Sequence, residues 1–219
     1  WKDSGLLRRA RNDCVGDLYK TSTASKMAGH SKWHHDAPPR HRLFFHLRHH
    51  REAGARGRAR CGWHGGCHAL SHHRRDIVSG RFKNESLLET IDGASAVAFG
   101  SPTYMGGPAA QFKAFADASS DRWSKQAWAN KIAAGFTTGA CAGGDQLHTL
   151  SYFSILAAQH GMLWCGLDIP GGEDPSGRNR LGSQLGLATH LIDGSLPQSD
   201  LGTAEYLGQR LARMASRNG

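Results

Sequence analysis

No apolar run in this sequence of 219 residues approaches the roughly 20 needed to cross a bilayer. The N-terminus carries charges where a signal peptide would carry its apolar stretch. A soluble, cytoplasmic protein without a membrane partner is the expectation. Cysteine is sparse and odd in number: Cys14, Cys61, Cys67, Cys141 and Cys165 are too few for a disulfide scaffold, and no structural disulfide is expected. Acidic residues are scarce in the first third. Residues 1–76 hold 16 Lys and Arg against 6 Asp and Glu, whereas 77–219 hold 11 against 12. The net charge of +9 therefore belongs to the first third, as do 11 of the 14 histidines, so an even nucleic-acid-binding surface is excluded. Residues 28–75 also lack any sustained period of 2 or 3.6, apart from the brief L-F-F-H-L of Leu43 to Leu47. No packed core can be written from that text, and no internal repeat appears. The length suits one ordinary α/β domain.

From Ile91 onward, short apolar runs alternate with amphipathic stretches, the pattern of a buried parallel sheet with crossover helices. Ala94 to Gly100 predicts a buried strand stopping at Ser101-Pro102. Pro108 to Ala118 predicts a helix with Pro108 in its first turn and Phe112 and Phe115 at helical spacing. Lys131 to Thr138 predicts a second strand. Gly139 to Gly144 reads as a loop, and Asp145 as the N-cap of a helix that ends near Gly161. Met162 to Leu167 predicts a third strand, Pro170 to Gly177 a loop, and Thr203 to Ser216 a closing helix with Leu207, Leu211 and Met214 inward. Three βα units are visible, against five in a complete small doubly wound domain.

Two loops attract attention because each joins a strand to a helix. In an open parallel sheet, ligands bind outside the carboxyl ends of the strands, where such loops lie. Gly100 to Gly107 (G-S-P-T-Y-M-G-G) offers glycines that let the main chain approach a flat ring, with Thr103 and Tyr104 as polar donors. Thr137 to Asp145 (T-T-G-A-C-A-G-G-D) offers an open cradle of small residues. The plainer alternative for either is an ordinary βα turn. Cys141 has no partner cysteine at C-x-x-C spacing that would mark a redox thiol. His160, after the helix, offers an imidazole to a ligand oxygen, or is a helix-end histidine favoured by the dipole. Trp123 and Trp128 suit a wall over a planar ligand, or a core.

The string G-S-P-T-Y-M-G-G-P-A-A-Q-F-K-A-F from Gly100 to Phe115, then Ala134 to Asp145, then A-Q-H-G-M from Ala158 to Met162, carries a family resemblance. From about Asp76 to the end the sequence resembles the flavodoxin-like NAD(P)H:quinone oxidoreductases of the tryptophan-repressor-binding-protein type and their NADPH-dependent FMN reductase relatives. The resemblance implies a flavodoxin-like doubly wound parallel sheet with helices on both faces, noncovalent FMN, NAD(P)H as reductant and a quinone as acceptor. It also implies a homo-oligomer, dimer or tetramer, in which a neighbour helps to close each site. By that resemblance Pro102, Thr103, Tyr104, Met105 and Gly106, with Thr137, Thr138, Gly139, Ala140, Cys141, Ala142, Gly143 and Gly144, would line the flavin ring. His160 would be the catalytic residue on its substrate side, and Trp123 would help wall the substrate.

One family element is missing. A Ser/Thr-rich loop after the first strand, which grips the FMN phosphate, should stand near Phe44, where the sequence has F-F-H-L-R-H-H-R-E-A. Codons TTC TTC CAC CTC CGG CAC CAC CGC GAA GCT encode those residues and, read one base later, give S-S-T-S-G-T-T-A-K. Residues 1–75 are therefore expected to be an irregular basic segment, with the text from before Phe44 to about Arg75 translated out of frame, ahead of an FMN-binding domain at 76–219. Trp1 to Pro39 reads as upstream or vector text. The rival readings are a nucleic-acid-binding arm using Trp33 and Trp63 among the basic residues, a zinc site from Cys61, His64, Cys67 and His68, and a non-catalytic flavodoxin-fold protein. Adjacent Cys67 and His68 do not match a usual ligand pair, so no metal is expected.

Overall fold

The structure, a computed structural model, describes residues 43–46, 67–70, 74–193 and 195–218, the first two stretches by their backbone. The strands are β1 (Leu43–His46), β2 (Cys67–Leu70), β3 (Ile77–Val78), β4 (Arg81–Phe82), β5 (Ala96–Tyr104), β6 (Gly107–Pro108), β7 (Ile132–Gly139), β8 (Leu163–Trp164) and β9 (Leu187–His190). The helices are α1 (Glu85–Asp92), α2 (Ala110–Ala118), α3 (Ser120–Ser124), α4 (Gln146–Gln159) and α5 (Gln198–Asn218). The main sheet runs β2-β1-β5-β7-β8, all parallel, with β9 also on β7. Counted by position, that is the 2-1-3-4-5 order of a flavodoxin-like doubly wound sheet. The chain turns back across β1, so the strand order switches between β1 and β5.

The strands alternate two packing faces. Val97 and Phe99 of β5 point into a cluster with Leu88 and Ile91 of α1, Phe112 and Phe115 of α2, and Phe153 of α4. Ala96 and Ala98 point the other way, toward Leu207 and Leu211 of α5. Period-2 alternation in a strand buried on both sides produces the continuous apolar text seen in the sequence. Gly135 of β7 is required by packing, since a Cβ there would stand 2.9 Å from the Trp164 ring and 3.0 Å from Phe153.

Several sequence expectations are corrected. The first strand does not stop at Ser101-Pro102 but continues to Tyr104. Pairing with β1 ends at Ala98, so Pro102 lies beyond that ladder and its missing N–H breaks no bond to β1. Pro108 is not in a helical turn; it pairs with Thr103 in a short hairpin, and α2 begins at Ala110. The strand expected over Met162 to Leu167 is only Leu163–Trp164. Residues 165–186 then leave the sheet, and β9, unforeseen, resumes the same edge of β7. Asp145 does stand at the N-cap of α4, but with φ of 59° and no capping hydrogen bond from its side chain. The closing helix is longer than expected, with Leu207 and Leu211 buried and Met214 packed against the same cluster. The first third, expected to be irregular, supplies two strands, the inner β1 over the brief Leu43 run and β2 at the edge of the sheet. No helix among the described residues is long and apolar enough to cross a membrane.

Candidate active site

The carboxyl ends of β5 and β7 lie side by side, with Ser101 opposite Thr137 and Pro102 opposite Thr138. A chain of hydroxyls ties them together. The Thr137 hydroxyl donates to the Ser101 carbonyl at 2.7 Å, so its oxygen accepts from Thr103 at 2.8 Å, and the Thr103 oxygen accepts in turn from Thr149 of α4 at 2.8 Å. A carbonyl can only accept, so the direction of all three bonds follows. The Thr103 and Thr137 hydroxyls are thus committed to holding the two strands and α4, and a ligand meets the neighbouring backbone instead. Ser101 completes the junction by accepting from the Ala109 N–H at 2.9 Å, just before α2.

Beyond Thr103 the chain makes a two-residue hairpin. Met105 and Gly106 have φ of 51° and 79°, the left-handed pair that matches the twist of a tight hairpin. Gly106 accommodates this freely, whereas Met105 bears a side chain there and is wholly exposed beside half-exposed Tyr104. His148, in the first turn of α4, donates from Nδ1 to the Gly106 carbonyl and pins the hairpin to that helix. That loop is folded by Gln146, whose side-chain amide fills the space beside Gly139 and donates to the carbonyls of Cys141 at 2.9 Å and Thr189 at 3.3 Å. The Gly144 N–H also reaches the Cys141 carbonyl, at 3.1 Å.

Two observations fit this crevice to a planar polar ligand. Open space surrounds the α-carbons of Gly106, Gly107 and Gly143, so a flat group can approach main chain there. The Thr138 hydroxyl, near the end of β7, is buried without a hydrogen-bond partner, an arrangement that costs free energy until something pairs with it.

A family model described as NADPH-dependent FMN reductase matches residues 66–166. Flavodoxin FldP of Pseudomonas aeruginosa is 35% identical over 141 residues, which cover 61% of this chain and 77% of that protein. The chain belongs to the flavodoxin-like NADPH-dependent FMN reductase family. An NAD(P)H dehydrogenase (quinone) of Archaeoglobus fulgidus is 32% identical over 131 residues, and the chain spans 63% of its length. Among solved structures, a WrbA-like flavodoxin from Agrobacterium tumefaciens superposes with a TM-score of 0.56 at 31% identity, covering 81% of this chain and 98% of that one. Family membership carries flavin-dependent NAD(P)H oxidoreduction, with FMN as the flavin.

The two loops expected to line a flavin ring, Pro102 to Gly106 and Thr137 to Gly144, are brought together. His160 and Trp123 are not. α4 starts at the crevice and its 14 residues carry the chain about 20 Å away, so His160, its C-cap, lies at the opposite edge of the sheet. There it is 1% exposed, with Nε2 donating to the Ser119 hydroxyl at 2.9 Å and its ring 4.3 Å from Trp128. Burial holds its pKa down to about 4. Trp123 follows α2, which also runs away from the crevice, and is half-exposed on α3. Trp128 is wholly buried, with its indole N–H on Asp92 at 2.6 Å. Cys141 is an exposed free thiol.

Sequence reasoning overlooked His190, which ends β9 directly beside Gly139. The region expected to grip the phosphate, from Leu47 onward, and the side chains of the Cys61 to His68 cluster lie outside the described residues. So do the Trp33 and Trp63 of the basic arm.

Proposed function

We propose that this chain reduces a quinone-type acceptor by two electrons at the crevice between the β5–β6 hairpin and the 139–145 loop. The carrying observation is the pair of glycine-opened loops locked side by side, with the unpaired Thr138 hydroxyl at their root. Main chain from Pro102 to Gly106 and from Thr137 to Gly144 holds the flavin ring. FMN, when bound, supplies the hydride chemistry that connects NAD(P)H to the acceptor. The protein's residues supply position. The Thr149–Thr103–Thr137 hydroxyl chain keeps the two loops in register, Tyr104 and Met105 form an apolar rim, and His148 prevents the hairpin from swinging outward. Acceptor, hydride and one proton together give a hydroquinone.

The phosphate end of the flavin belongs, in this reading, outside the carboxyl end of β1; the switch in strand order beside that strand supports it. We place there the loop that the shifted codons of Phe44 to Ala53 spell out, and read residues before about Asp76 as an out-of-frame segment preceding the FMN domain. The half-exposed Trp123, remote from its own crevice, then walls the crevice of a second copy in a dimer or tetramer.

The test is flavin retention after gel filtration, followed by NADPH oxidation with a quinone. A retained flavin and quinone-dependent turnover support the reading. Correcting the reading frame should tighten FMN binding at least a hundredfold, because two or three charge-assisted hydrogen bonds to phosphate contribute about 3–9 kcal/mol. Unchanged affinity, or DNA whose codons do not yield the loop in any frame, refutes the frame assignment.

A further inference from the structure

An ion pair beside the crevice, its carboxylate buried and its guanidinium half-buried, has no role in the reading above. Asp200, in the first turn of α5, is 3% exposed. It receives Arg180 through two bonds, 2.8 Å from Nε and 2.9 Å from a terminal nitrogen, and the Thr189 hydroxyl as well. The same terminal nitrogen of Arg180 reaches His190 Nδ1 at 3.2 Å. Removing a carboxylate and a guanidinium from water is expensive, so such a pair adds little net stability and is better understood through what it orients. Here it orients an imidazole. A guanidinium only donates, so Nδ1 of His190 accepts and the ring proton sits on Nε2.

The register places this ring with care. His190 pairs with Gly139, where the second ring loop leaves the sheet, but on the side of β7 away from β5. It therefore stands at the outer flank of the crevice, beyond the two loops that hold the flavin, and is half-buried. The Gln146 amide ties the same strand to the loop through the Thr189 carbonyl, so the distance between His190 and the loop is fixed.

We infer that His190 Nε2–H is the hydrogen-bond donor for the carbonyl oxygen of the electron acceptor, and that Arg180 and Asp200 are positioning residues that set its tautomer and direction. A fixed, single N–H suits an oxygen that can only accept, as a quinone carbonyl does, and that bond strengthens as charge develops on the oxygen during reduction. The inference rests on the reading of the crevice as a flavin and acceptor site.

The experiment uses the full chain saturated with FMN, and duroquinone, which is fully substituted and spares thiols. His190→Ala should lower kcat/KM for duroquinone about tenfold, the loss of one hydrogen bond. Ferricyanide, which has no carbonyl, should be reduced with unchanged kcat/KM. His190→Gln, with its amide donor, should recover much of the loss. Independently of turnover, long-range 15N–1H correlation of the His190 ring should show the proton on Nε2 and a shift of that signal when duroquinone is added, and Arg180→Met should mix the tautomers. A duroquinone kcat/KM within twofold of wild type, an equal loss with ferricyanide, or a His190 signal that responds to NADP+ but not to duroquinone overturns the assignment. Wild-type protein that holds FMN yet never reduces duroquinone would instead refute the proposed function, while the ring signal still decides whether His190 meets the quinone.

Discussion

Acidification should unfold this protein through one histidine whose burial can be followed atom by atom. His160 donates from Nε2 to Ser119, whose own hydroxyl is spent on the Ala116 carbonyl at 2.7 Å. Its other nitrogen, Nδ1, is buried with no partner, and its ring lies against Trp128. A proton added at Nδ1 would place a charge where nothing solvates it, which is why burial lowers the pKa from 6.5 to about 4. The folded protein therefore favours the neutral ring. Above pH 6.5 both states carry neutral His160 and nothing is lost. As the pH falls below 6.5, the unfolded chain binds a proton that the folded chain refuses, and stability declines by about 1.4 kcal/mol per unit until pH reaches about 4. The full interval is worth roughly 3.4 kcal/mol. Urea unfolding of wild type and His160→Asn at several pH values between 7 and 4.5 isolates this contribution, since every other group titrates in both. Wild type should be the more stable at pH 7, and its advantage should shrink by about 2.7 kcal/mol by pH 4.5. An advantage that stays constant within about 0.5 kcal/mol, or that grows as the solution is acidified, would refute the reasoning.

Other perturbations test the crevice and its support. Thr137→Val removes the middle of the hydroxyl chain, taking the acceptor from the Thr103 hydroxyl and the hydroxyl donor from the Ser101 carbonyl, so it should cost about 1–3 kcal/mol in urea unfolding. Thr149→Val removes only the last donor and should cost less, about 0.5–1.5 kcal/mol; the reverse order would contradict the bond directions given above. Gly135→Ala forces a Cβ toward Trp164 and Phe153 and should destabilise by about 1–3 kcal/mol, whereas the same change at Gly143, where space is open, should leave the unfolding midpoint nearly unchanged. Phe153→Ala, at the contact of α4 with the sheet and with Phe112 at 4.6 Å, should cost about 3–5 kcal/mol.

What the sequence made legible was whatever local pattern determines. β5 and β7 are buried on both faces, so they read as apolar runs, and the glycines after them marked two loops that the sheet does bring together. Pro102 was misleading because proline is a stop signal only where a ladder needs its N–H. β9 escaped notice because L-A-T-H is four residues long and is recognisable only through the register it shares with β7. The misplacement of His160 had a topological cause. A helix that starts at the carboxyl edge of a parallel sheet must end at the amino edge, so a residue capping its C-terminus stands opposite the crevice whatever its chemistry. His190 went unseen for the complementary reason: its importance comes from Arg180 and Asp200, ten residues to either side in sequence and joined to it only by folding.

The divided edge of the sheet has a consequence for how such a chain can change. β7 sees a continuous partner, Leu163–Trp164 below and Leu187–His190 above, although 22 residues intervene. Cys165 and Leu167 pack in the core and Arg180 holds Asp200, but the stretch from Pro170 to Gly177 between them is largely exposed, so sequence can be lengthened, shortened or exchanged there without interrupting any ladder. The connection is in effect a handle, its two ends fixed to the core and its middle free to be refashioned. New surface can arise there while the loops after β5 and β7 stay as they are.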